Sequence, residues 1–570
     1  MTLLIIGFDG ATFDLIRPWA AEGYLPHLAR LMAGGVTADL ASTLPPVTSP
    51  AWPTFMTGVN PGKHGVFDFI QPHGENFTLV NATRIRQPTL WQRLSALGYR
   101  VGVLNVPVTY PPQPVNGFVV TDILSPRNAT ISHPADLIAR YQDTPGPDGR
   151  PLGPYRVAPD VQYKPGNEAE FIADIYDLID AHGRWALTLM TAEPTDVLMV
   201  HFIAMDVAKH ALWRFMDHSH ARYEDSPYEH AIRDGYARVD AWIGRLMAQL
   251  PPGSSTVVMS DHGFGPLKNM VNLNVFFLDK GLLKLKRDAM TQLKAWAFRH
   301  GITPSTAYQW VSRLGLQNTI ARVSKKARND IVGKFLSFDS VDWNRTIAYS
   351  MGHVGQVYLN RAGREPHGIV TDADYDRRLA EVSDAQAELR DGPDARVRTD
   401  ALAHQFDVGA ALAELRDGHG APLLTNLWRG HDVYHGPYAE LGPDLHLELD
   451  HYAMIACPLF ATEGRVLTNQ IRGDSGCHRR EGIFIAQGAG VRAGLALPEA
   501  SILDLAPTLL HLLGQPVPRL MDGRVLTEAL ADPAPVRFVE EDAADLAAVQ
   551  GFGAGESEQI EERLRSLGYL

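Results

Sequence analysis

The sequence predicts an α/β fold in which short buried strands alternate with helices. An apolar run at residues 3–6 ends at Asp9, and apolar residues then resume at helical spacing. The same succession recurs later, where a predicted helix at 168–190 precedes an apolar strand at 195–202, and a second such strand follows at 255–259. Strands that end in polar residues and lead into helices are typical of α/β proteins, whose ligands gather at the carboxyl ends of the strands.

The first third of the chain supplies further elements of the same kind. Residues 25–32 have helical spacing and stop at two glycines, and residues 90–97 form a predicted helix that Gly98 ends. Residues 100–106 are a predicted buried strand that ends at a proline. The segment 125–166 is rich in Pro, Gly and Asp, which predicts irregular surface structure.

Composition narrows the class of protein. A chain of 570 residues would have two to four domains on length alone. Its formal net charge of −13 argues against an extended nucleic-acid surface, so no nucleic-acid polymer is expected as a partner. Two cysteines, Cys457 and Cys477, are too few for a disulfide framework and indicate a reducing, cytoplasmic location. The first ten residues read as a buried strand, and no apolar run is long enough for a membrane span.

The segment 265–340 differs from its surroundings because it is helical in pattern and locally basic. Its cations include Lys284, Lys286, Lys325 and Lys326, and its aromatic residues include Trp296. We interpret the segment as an inserted, mainly helical cap. A role facing the substrate and a merely solvated helical face are equally compatible with this charge pattern.

A polar turn at residues 47–58 presents hydroxyl groups at the start of a predicted helix. Thr48 and Ser49 precede Pro50, and the orphan N–H groups and dipole of a helix N-terminus favour anions. Either hydroxyl could therefore attack a phosphorus atom if a metal ion activated it. The alternative is an ordinary N-cap followed by a proline.

Carboxylates and imidazoles follow the other predicted strands. Asp206 and His210 are four residues apart, a spacing that places both on one helix face and allows them to bind one metal ion or to form a plain surface pair. Asp261 and His262 end the strand at 255–259, and His478 precedes another strand. With three histidines among the candidates, zinc fits better than magnesium. Two metals about 4 Å apart would clamp the attacking and leaving oxygens of a phosphoryl displacement.

These motifs together resemble one family. The pattern Thr-x-Pro-x6-Thr-Gly-x-x-Pro-x-x-His-Gly at 48–65 resembles the nucleophile segment of the type I phosphodiesterase/nucleotide pyrophosphatase branch of the alkaline phosphatase superfamily. Phe-Asp-Gly at 8–10, Asp206-x-x-x-His210, Ser-Asp-His-Gly at 260–263 and His478 follow in the order that this family uses.

The resemblance implies a role for each residue. Thr48 would be the metal-bound nucleophile that forms a covalent phospho-threonine. Asp206, His210 and His478 would hold one divalent ion, and Asp9, Thr48, Asp261 and His262 the other, with Zn²⁺ expected and Mn²⁺ as the alternative.

The resemblance also implies the architecture. It predicts an alkaline-phosphatase-like three-layer α/β/α fold with a central, largely parallel sheet. The catalytic core would comprise residues 1–264 and 341–530, interrupted by the cap at 265–340 and followed by an acidic tail with a short helix at 531–570. One α/β domain with an insertion thus replaces the several domains that length alone suggests.

The chain departs from the family pattern at one position. The family places an Asn four residues after the His-Gly of the nucleophile segment, where this chain has Phe69 beside Asp68. Phosphate contacts must then come from elsewhere, such as the cap. The frame Thr48-Ser49-Pro50-Ala51-Trp52 lacks the Cys or Ser and the Arg of sulfatases, which argues against a sulfatase.

The expected activity is hydrolysis of a small phosphoester, with a phosphodiester preferred on resemblance. Within the superfamily, the alternatives are a phosphomonoesterase, a phosphonate hydrolase and a phosphotransferase similar to phosphoglycerate mutase. Those mutases use a Ser nucleophile and carry an insertion soon after it, whereas here the insertion follows Asp261 and His262. The alternative of another class is an inactive protein that binds a phospholigand.

Overall fold

A computed structural model describes residues 2–73, 76–303, 336–352, 354–375, 378–379, 408–457, 465–468, 473–541 and 549–567. Its strands are β1 Leu3–Phe8, β2 Val36–Ala41, β3 Ile70–His73, β4 Asn76–Leu79, β5 Val101–Leu104, β6 Gly117–Val120, β7 Ser132–His133, β8 Val197–Phe202, β9 Ser255–Met259, β10 Gly263–Pro266, β11 Asn269–Asn272, β12 Ala348–Ser350, β13 Gln356–Leu359, β14 Leu424–Arg429, β15 Leu445–Leu449, β16 Met454–Cys457, β17 Leu467–Thr468, β18 Gly476–Arg479, β19 Glu481–Gly488, β20 Leu495–Ala496, β21 Ala500–Ser501, β22 Val517–Pro518 and β23 Phe538–Val539.

The helices alternate with these strands over the first half of the chain, as predicted. They are α1 Phe13–Ala21, α2 Pro26–Gly34, α3 Thr48–Thr57, α4 Pro61–His64, α5 Leu90–Ala96, α6 Leu137–Tyr141, α7 Glu168–Ala192, α8 Ala204–Met216, α9 Ala231–Met247, α10 Leu273–Asp279, α11 Ala289–Arg299, α12 Val408–Ala413, α13 Gly430–Val433, α14 Leu505–Leu512 and α15 Ala554–Leu567. None of the helices in the described part of the chain combines the length and the apolar character that crossing a membrane requires.

A ten-stranded sheet forms the centre of the molecule. Its order is β20-β2-β19-β9-β1-β8-β5-β6-β7, with β21 paired to β2. The five strands from β9 to β6 are parallel, while β19 runs antiparallel to both β9 and β2. The predicted α/β fold with a largely parallel central sheet is therefore confirmed. Strand β1 is apolar throughout because helices cover both of its faces.

Neighbouring residues of β1 show that helices lie on both faces of the sheet. Side chains alternate between faces along a strand. The ring of Phe8 packs 4.6 Å from that of Tyr236 on α9. At Gly7 the other face meets Trp52 on α3, so closely that a Cβ there would lie 2.6 Å from the indole ring. Helix α9 and helix α3 thus enclose the sheet from opposite sides in a three-layer arrangement.

A second sheet is a feature that the sequence analysis does not predict. Its order is β12-β13-β15-β16-β11-β17, with β14 paired to β15. Strand β11 comes from the segment predicted as a cap, and its neighbours β16 and β17 come from residues 454–468. The predicted cap contributes helices α10 and α11 to the described structure, whereas Lys325 and Lys326 lie outside the described residues. The domain boundaries at 265 and 340 stay a prediction.

Candidate active site

Three of the predicted site residues lie at the ends of central strands. Asp9 follows β1 directly, and Asp261 and His262 lie between β9 and β10. Because β1 and β9 are parallel neighbours, their carboxyl ends open at the same edge of the sheet. The N–H of Gly10 donates to Asp261 Oδ1 at 3.1 Å, which ties the two strand ends together. The sequence predicts ligands at the carboxyl ends of the strands, and these three residues lie there.

Helix α8 and strand β18 bring the remaining acidic and imidazole groups to this edge. Asp206 and His210 lie one turn apart in α8, which begins two residues after β8 ends. Strand β18 pairs antiparallel with β10, and this register sets His478 opposite Phe264. This strand pairing therefore places His478 beside the two residues of α8.

Asp206, His210 and His478 form a first compact group, which we call the Asp206 group. The Nε2 atoms of the two imidazoles are 3.1 Å apart. Asp206 Oδ2 lies 3.5 Å from His210 Nε2, and Asp206 Oδ1 lies 3.6 Å from His478 Nε2. Three potential ligand atoms within this range could bind one metal ion.

Asp9, Asp261 and His262 form a second group, the Asp9 group. His262 Nε2 lies 3.2 Å from Asp261 Oδ2 and 3.7 Å from Asp9 Oδ1. The rings of His262 and His478 stack with their centroids 3.6 Å apart, so the two groups adjoin. The described residues thus contain two neighbouring groups of three that could each hold a metal ion.

The tautomers of the three imidazoles fit metal binding. Nδ1 of His210, His262 and His478 contacts the backbone carbonyl of Gly476, Gly263 and Pro46, at 3.1, 3.0 and 2.9 Å. A carbonyl only accepts, so each Nδ1 donates its proton, and in the neutral ring each Nε2 then presents a lone pair to the site. Two such lone pairs 3.1 Å apart repel each other unless a cation or a proton lies between them. The donor set therefore fits a cation.

The three carboxylates of the site have pKa values shifted by burial and by the neighbouring charges. Burial, with the charges of Asp261 and Asp206 nearby, raises the pKa of Asp9 well above its usual range, and burial also raises that of Asp261. Burial acts on Asp206 in the same direction, but the imidazoles of His210 and His478 outweigh it and lower the pKa of Asp206 well below its usual range. Buried like charges destabilise one another, and bound cations would offset this repulsion.

Thr48 is the first residue of α3 and adjoins the Asp9 group. Its Oγ1 lies 3.2 Å from His262 Nε2, to which it donates because the Nδ1 proton is committed to a carbonyl. The preceding residue, Val47, has no side chain that could cap the first N–H groups of the helix. Ser49 is also buried, but its Oγ has no hydrogen-bond partner within the described residues. Of the two hydroxyls that the sequence leaves open, only that of Thr48 contacts the Asp9 group.

The structure thus brings all seven predicted site residues together, and their individual roles stay predictions. A family model matches residues 3–407 of the sequence, and its description is type I phosphodiesterase / nucleotide pyrophosphatase. The chain belongs to this family. It is therefore a hydrolase of phosphoester bonds from a metal-dependent family, as the motifs predict.

Several solved structures are similar to this family member. Human ectonucleotide pyrophosphatase/phosphodiesterase 5 is 15% identical, with a TM-score of 0.46 over 93% of this chain and 100% of its own. Phosphonoacetate hydrolase from Sinorhizobium meliloti 1021, in complex with phosphonoacetate, is 13% identical, with a TM-score of 0.48 over 88% and 93% of the two chains. Comparison with curated protein sequences gives no match.

Two further polar residues reach the site without having been predicted. His201 interrupts the apolar strand β8, and its Nε2 lies 2.8 Å from Asp9 Oδ2. Lys209 is fully buried, and its Nζ donates to the carbonyls of Asp9 and Gly10. Burial lowers the pKa of Lys209 to about 8 although the carboxylates of Asp206 and Asp9 act against it. A histidine inside an otherwise apolar strand is the one sequence signal that could have revealed the first of them.

The departure from the family pattern at Phe69 has a structural counterpart. The side chain of Phe69 is buried in the core, so it offers no contact to a phosphoryl oxygen. Asp68 beside it is also buried, and its Oδ1 accepts the N–H of Phe69 at 2.6 Å. Gln356 of the second sheet donates to the carbonyl of Phe67 at 3.1 Å. Burial raises the pKa of Asp68 to about 7, although the Phe69 N–H and Gln356 lower it.

We expect Asp68→Asn to reduce the loss of stability between acid and neutral pH. Folded Asp68 keeps its proton up to about pH 7 whereas the unfolded chain loses it near pH 4, so folding becomes less favourable as pH rises through this window. Between pH 5 and pH 8, the free energy of unfolding should fall by roughly 2 to 3 kcal/mol more for wild type than for the variant. Urea unfolding at both pH values measures this difference. The exposed variant Asp143→Asn is the control, and parallel curves for wild type and Asp68→Asn would contradict the expectation.

Proposed function

We propose that this phosphodiesterase family member hydrolyses a small phosphodiester through a covalent phospho-threonine on Thr48, at a site with two divalent ions. Family membership supports the preference for a diester. The observation that carries the proposal is the contact between Thr48 Oγ1 and His262 Nε2 at 3.2 Å, at the start of a ten-residue helix. A hydroxyl in this setting lies beside both a candidate metal group and a helix N-terminus that favours a phosphoryl oxygen.

The metal ions are proposed to be held by the two groups. The Asp206 group would hold one ion, and the Asp9 group together with Thr48 would hold the other. Three imidazoles among the ligands favour zinc, with manganese as the alternative. Bound ions would supply positive charge that lowers the pKa of the Thr48 hydroxyl and stabilises charge on the phosphoryl oxygens.

The residues of this chain would orient the Thr48 hydroxyl and form the covalent bond to phosphorus. The backbone of α3 holds Thr48 at the helix start, and the buried surroundings exclude bulk water from its hydroxyl. Thr48 Oγ1 forms a bond to phosphorus while the bond from phosphorus to the leaving oxygen breaks, and the hydroxyl proton ends on that leaving oxygen. Water then cleaves the bond between phosphorus and Thr48 Oγ1, which restores the hydroxyl and releases the second product.

A panel of p-nitrophenyl substrates tests this proposal. We expect the purified, zinc-loaded protein to release p-nitrophenol faster from a diester than from a monoester or a phosphonate. Faster release from the monoester or the phosphonate would favour the phosphomonoesterase or the phosphonate hydrolase. Transfer of phosphate to an added alcohol without hydrolysis would favour a phosphotransferase. No turnover of any substrate, with metals bound, would favour the inactive phospholigand-binding protein.

Two further expectations from the sequence become part of the proposal. Residues 265–340 would act as a cap near the site, since β10 begins directly after His262 and β11, α10 and α11 follow it along the chain. The small number of cysteines supports a cytoplasmic location, and the free cysteine Cys477 is buried. Cell fractionation of the tagged full chain would test the location.

A further inference from the structure

His201 on β8 is held between two oxygen atoms. Its Nδ1 lies 2.8 Å from the carbonyl oxygen of Asn105, and its Nε2 lies 2.8 Å from Asp9 Oδ2. The ring is fully buried, and Trp52 packs edge-on against it with ring centroids 4.7 Å apart. A Cβ on Gly7 would lie 3.1 Å from the His201 ring carbon Cδ2, so this glycine leaves the space that the ring occupies.

The two contacts constrain the protons of this cluster. A carbonyl oxygen only accepts, so Nδ1 of His201 carries a proton and donates it to Asn105. The short contact between Nε2 and Asp9 Oδ2 then requires one more proton, shared between these two atoms. Asp9 Oδ2 is therefore hydrogen-bonded to His201 on β8.

The other oxygen of Asp9 has a different environment. Oδ1 makes no hydrogen bond within the described residues and lies 3.7 Å from His262 Nε2. Asp261 Oδ2 likewise lacks a hydrogen bond there and lies 3.2 Å from the same nitrogen. The atoms that face into the Asp9 group are thus one oxygen from each carboxylate and one imidazole nitrogen.

We infer that His201 is a positioning residue that holds Asp9 Oδ2 and presents Oδ1 alone to a metal ion in the Asp9 group. This inference rests on the proposed function, because it concerns the same metal site. Without the contact, the carboxylate of Asp9 could rotate or offer both oxygens. A partner that fixes a metal ligand from outside contributes strongly to affinity for the metal.

A matched pair of substitutions separates this role from simple filling of the core. In His201→Gln, the amide nitrogen reaches the position of Nε2 and keeps a donor toward Asp9. In His201→Asn, the amide nitrogen reaches only the position of Nδ1 and keeps the contact with Asn105. Both variants place a smaller amide side chain in the same buried strand. If His201 only filled the core, both variants would therefore lose the same affinity for the metal.

The experiment measures the affinity of the Asp9 group for Zn²⁺ in the full chain. Asp206→Ala, which removes a ligand of the other group, serves as the background, and a chelating dye competes for the metal. We expect His201→Asn to weaken binding by about tenfold or more, and His201→Gln to stay within about threefold of the background. In Co²⁺-loaded protein, the visible absorption should change for His201→Asn and not for His201→Gln. Equal affinities in all three proteins, or an equal loss in both His201 variants, would overturn the inference.

Wild-type protein provides a test that does not depend on folding of the variants. With ¹⁵N-labelled histidine, the Nδ1–H signal of His201 should persist when Zn²⁺ is added, and neither of its nitrogens should show metal coordination. Coordination by His201 Nε2 would make it a ligand and overturn the positioning role. Failure of wild type to bind Zn²⁺ would instead contradict the proposed function, so the two failures are distinguishable.

Discussion

Replacing Thr48 by alanine should reduce kcat/KM for the preferred p-nitrophenyl substrate by about a thousandfold or more. The substitution removes the attacking oxygen and one proposed metal ligand in a single step. Thr48 is buried and begins α3 without serving as its cap, so the loss should arise from chemistry while the fold is retained. Steady-state kinetics together with the thermal unfolding midpoint check both parts of this expectation.

Two neighbouring variants act as controls for the Thr48 result. Thr48→Ser keeps an oxygen at the same position and should retain much of the activity. Ser49→Ala should cost little, because the Ser49 hydroxyl makes no hydrogen bond within the described part of the chain. An inactive Ser49→Ala with an active Thr48→Ala would move the nucleophile by one residue. Equal activity in both would leave an activated water as the attacking group.

Removing a ligand from either proposed metal group should also reduce activity strongly. Asp206→Ala and His478→Ala should each lower occupancy of the Asp206 group, and Asp9→Ala should empty the Asp9 group. Because each ion would supply several kcal/mol of charge stabilisation, kcat/KM should fall by about a hundredfold or more in every case. Elemental analysis of the purified proteins measures the metal content beside the kinetics.

The expected metal contents are specific to each protein. Wild type reconstituted with zinc should hold about two ions per chain, and each ligand variant about one. The control is His218→Ala, which changes an exposed histidine that pairs with Glu229 on the surface. Wild type with fewer than about one ion per chain would contradict the two-metal proposal. If His218→Ala lost as much metal as His478→Ala, the loss in His478→Ala would not be specific to the Asp206 group.

The part of the fold that can be predicted from sequence is the part governed by local patterns. The strand Ser255–Met259 is predictable with the bounds that the structure has, because it contains a short apolar, β-branched run and polar residues follow its end. Asp9 and Asp261 are predictable as site residues for a related reason, since the carboxyl ends of parallel strands open at one edge of a sheet. The spacing of Asp206 and His210 is informative because both lie on one helix.

The features that sequence reasoning misses depend on contacts between distant parts of the chain. His201 and Lys209 act on Asp9 across about two hundred residues of sequence, and no local pattern links them. The second sheet pairs β11 with β16, which come from segments with different local patterns. Without the family resemblance, the choice between Thr48 and Ser49 likewise requires the position of His262, because the two neighbouring hydroxyls do not differ in local pattern.

The stereochemical course at phosphorus is the most direct test of the covalent role of Thr48. A p-nitrophenyl phosphorothioate diester of one configuration is hydrolysed in H₂¹⁸O by the zinc-loaded full chain, and the configuration of the product is determined by ³¹P NMR. Attack by Thr48 followed by attack of water inverts the configuration twice, so a covalent phospho-threonine predicts net retention. Net inversion would show a single displacement by water and would contradict the covalent role of Thr48.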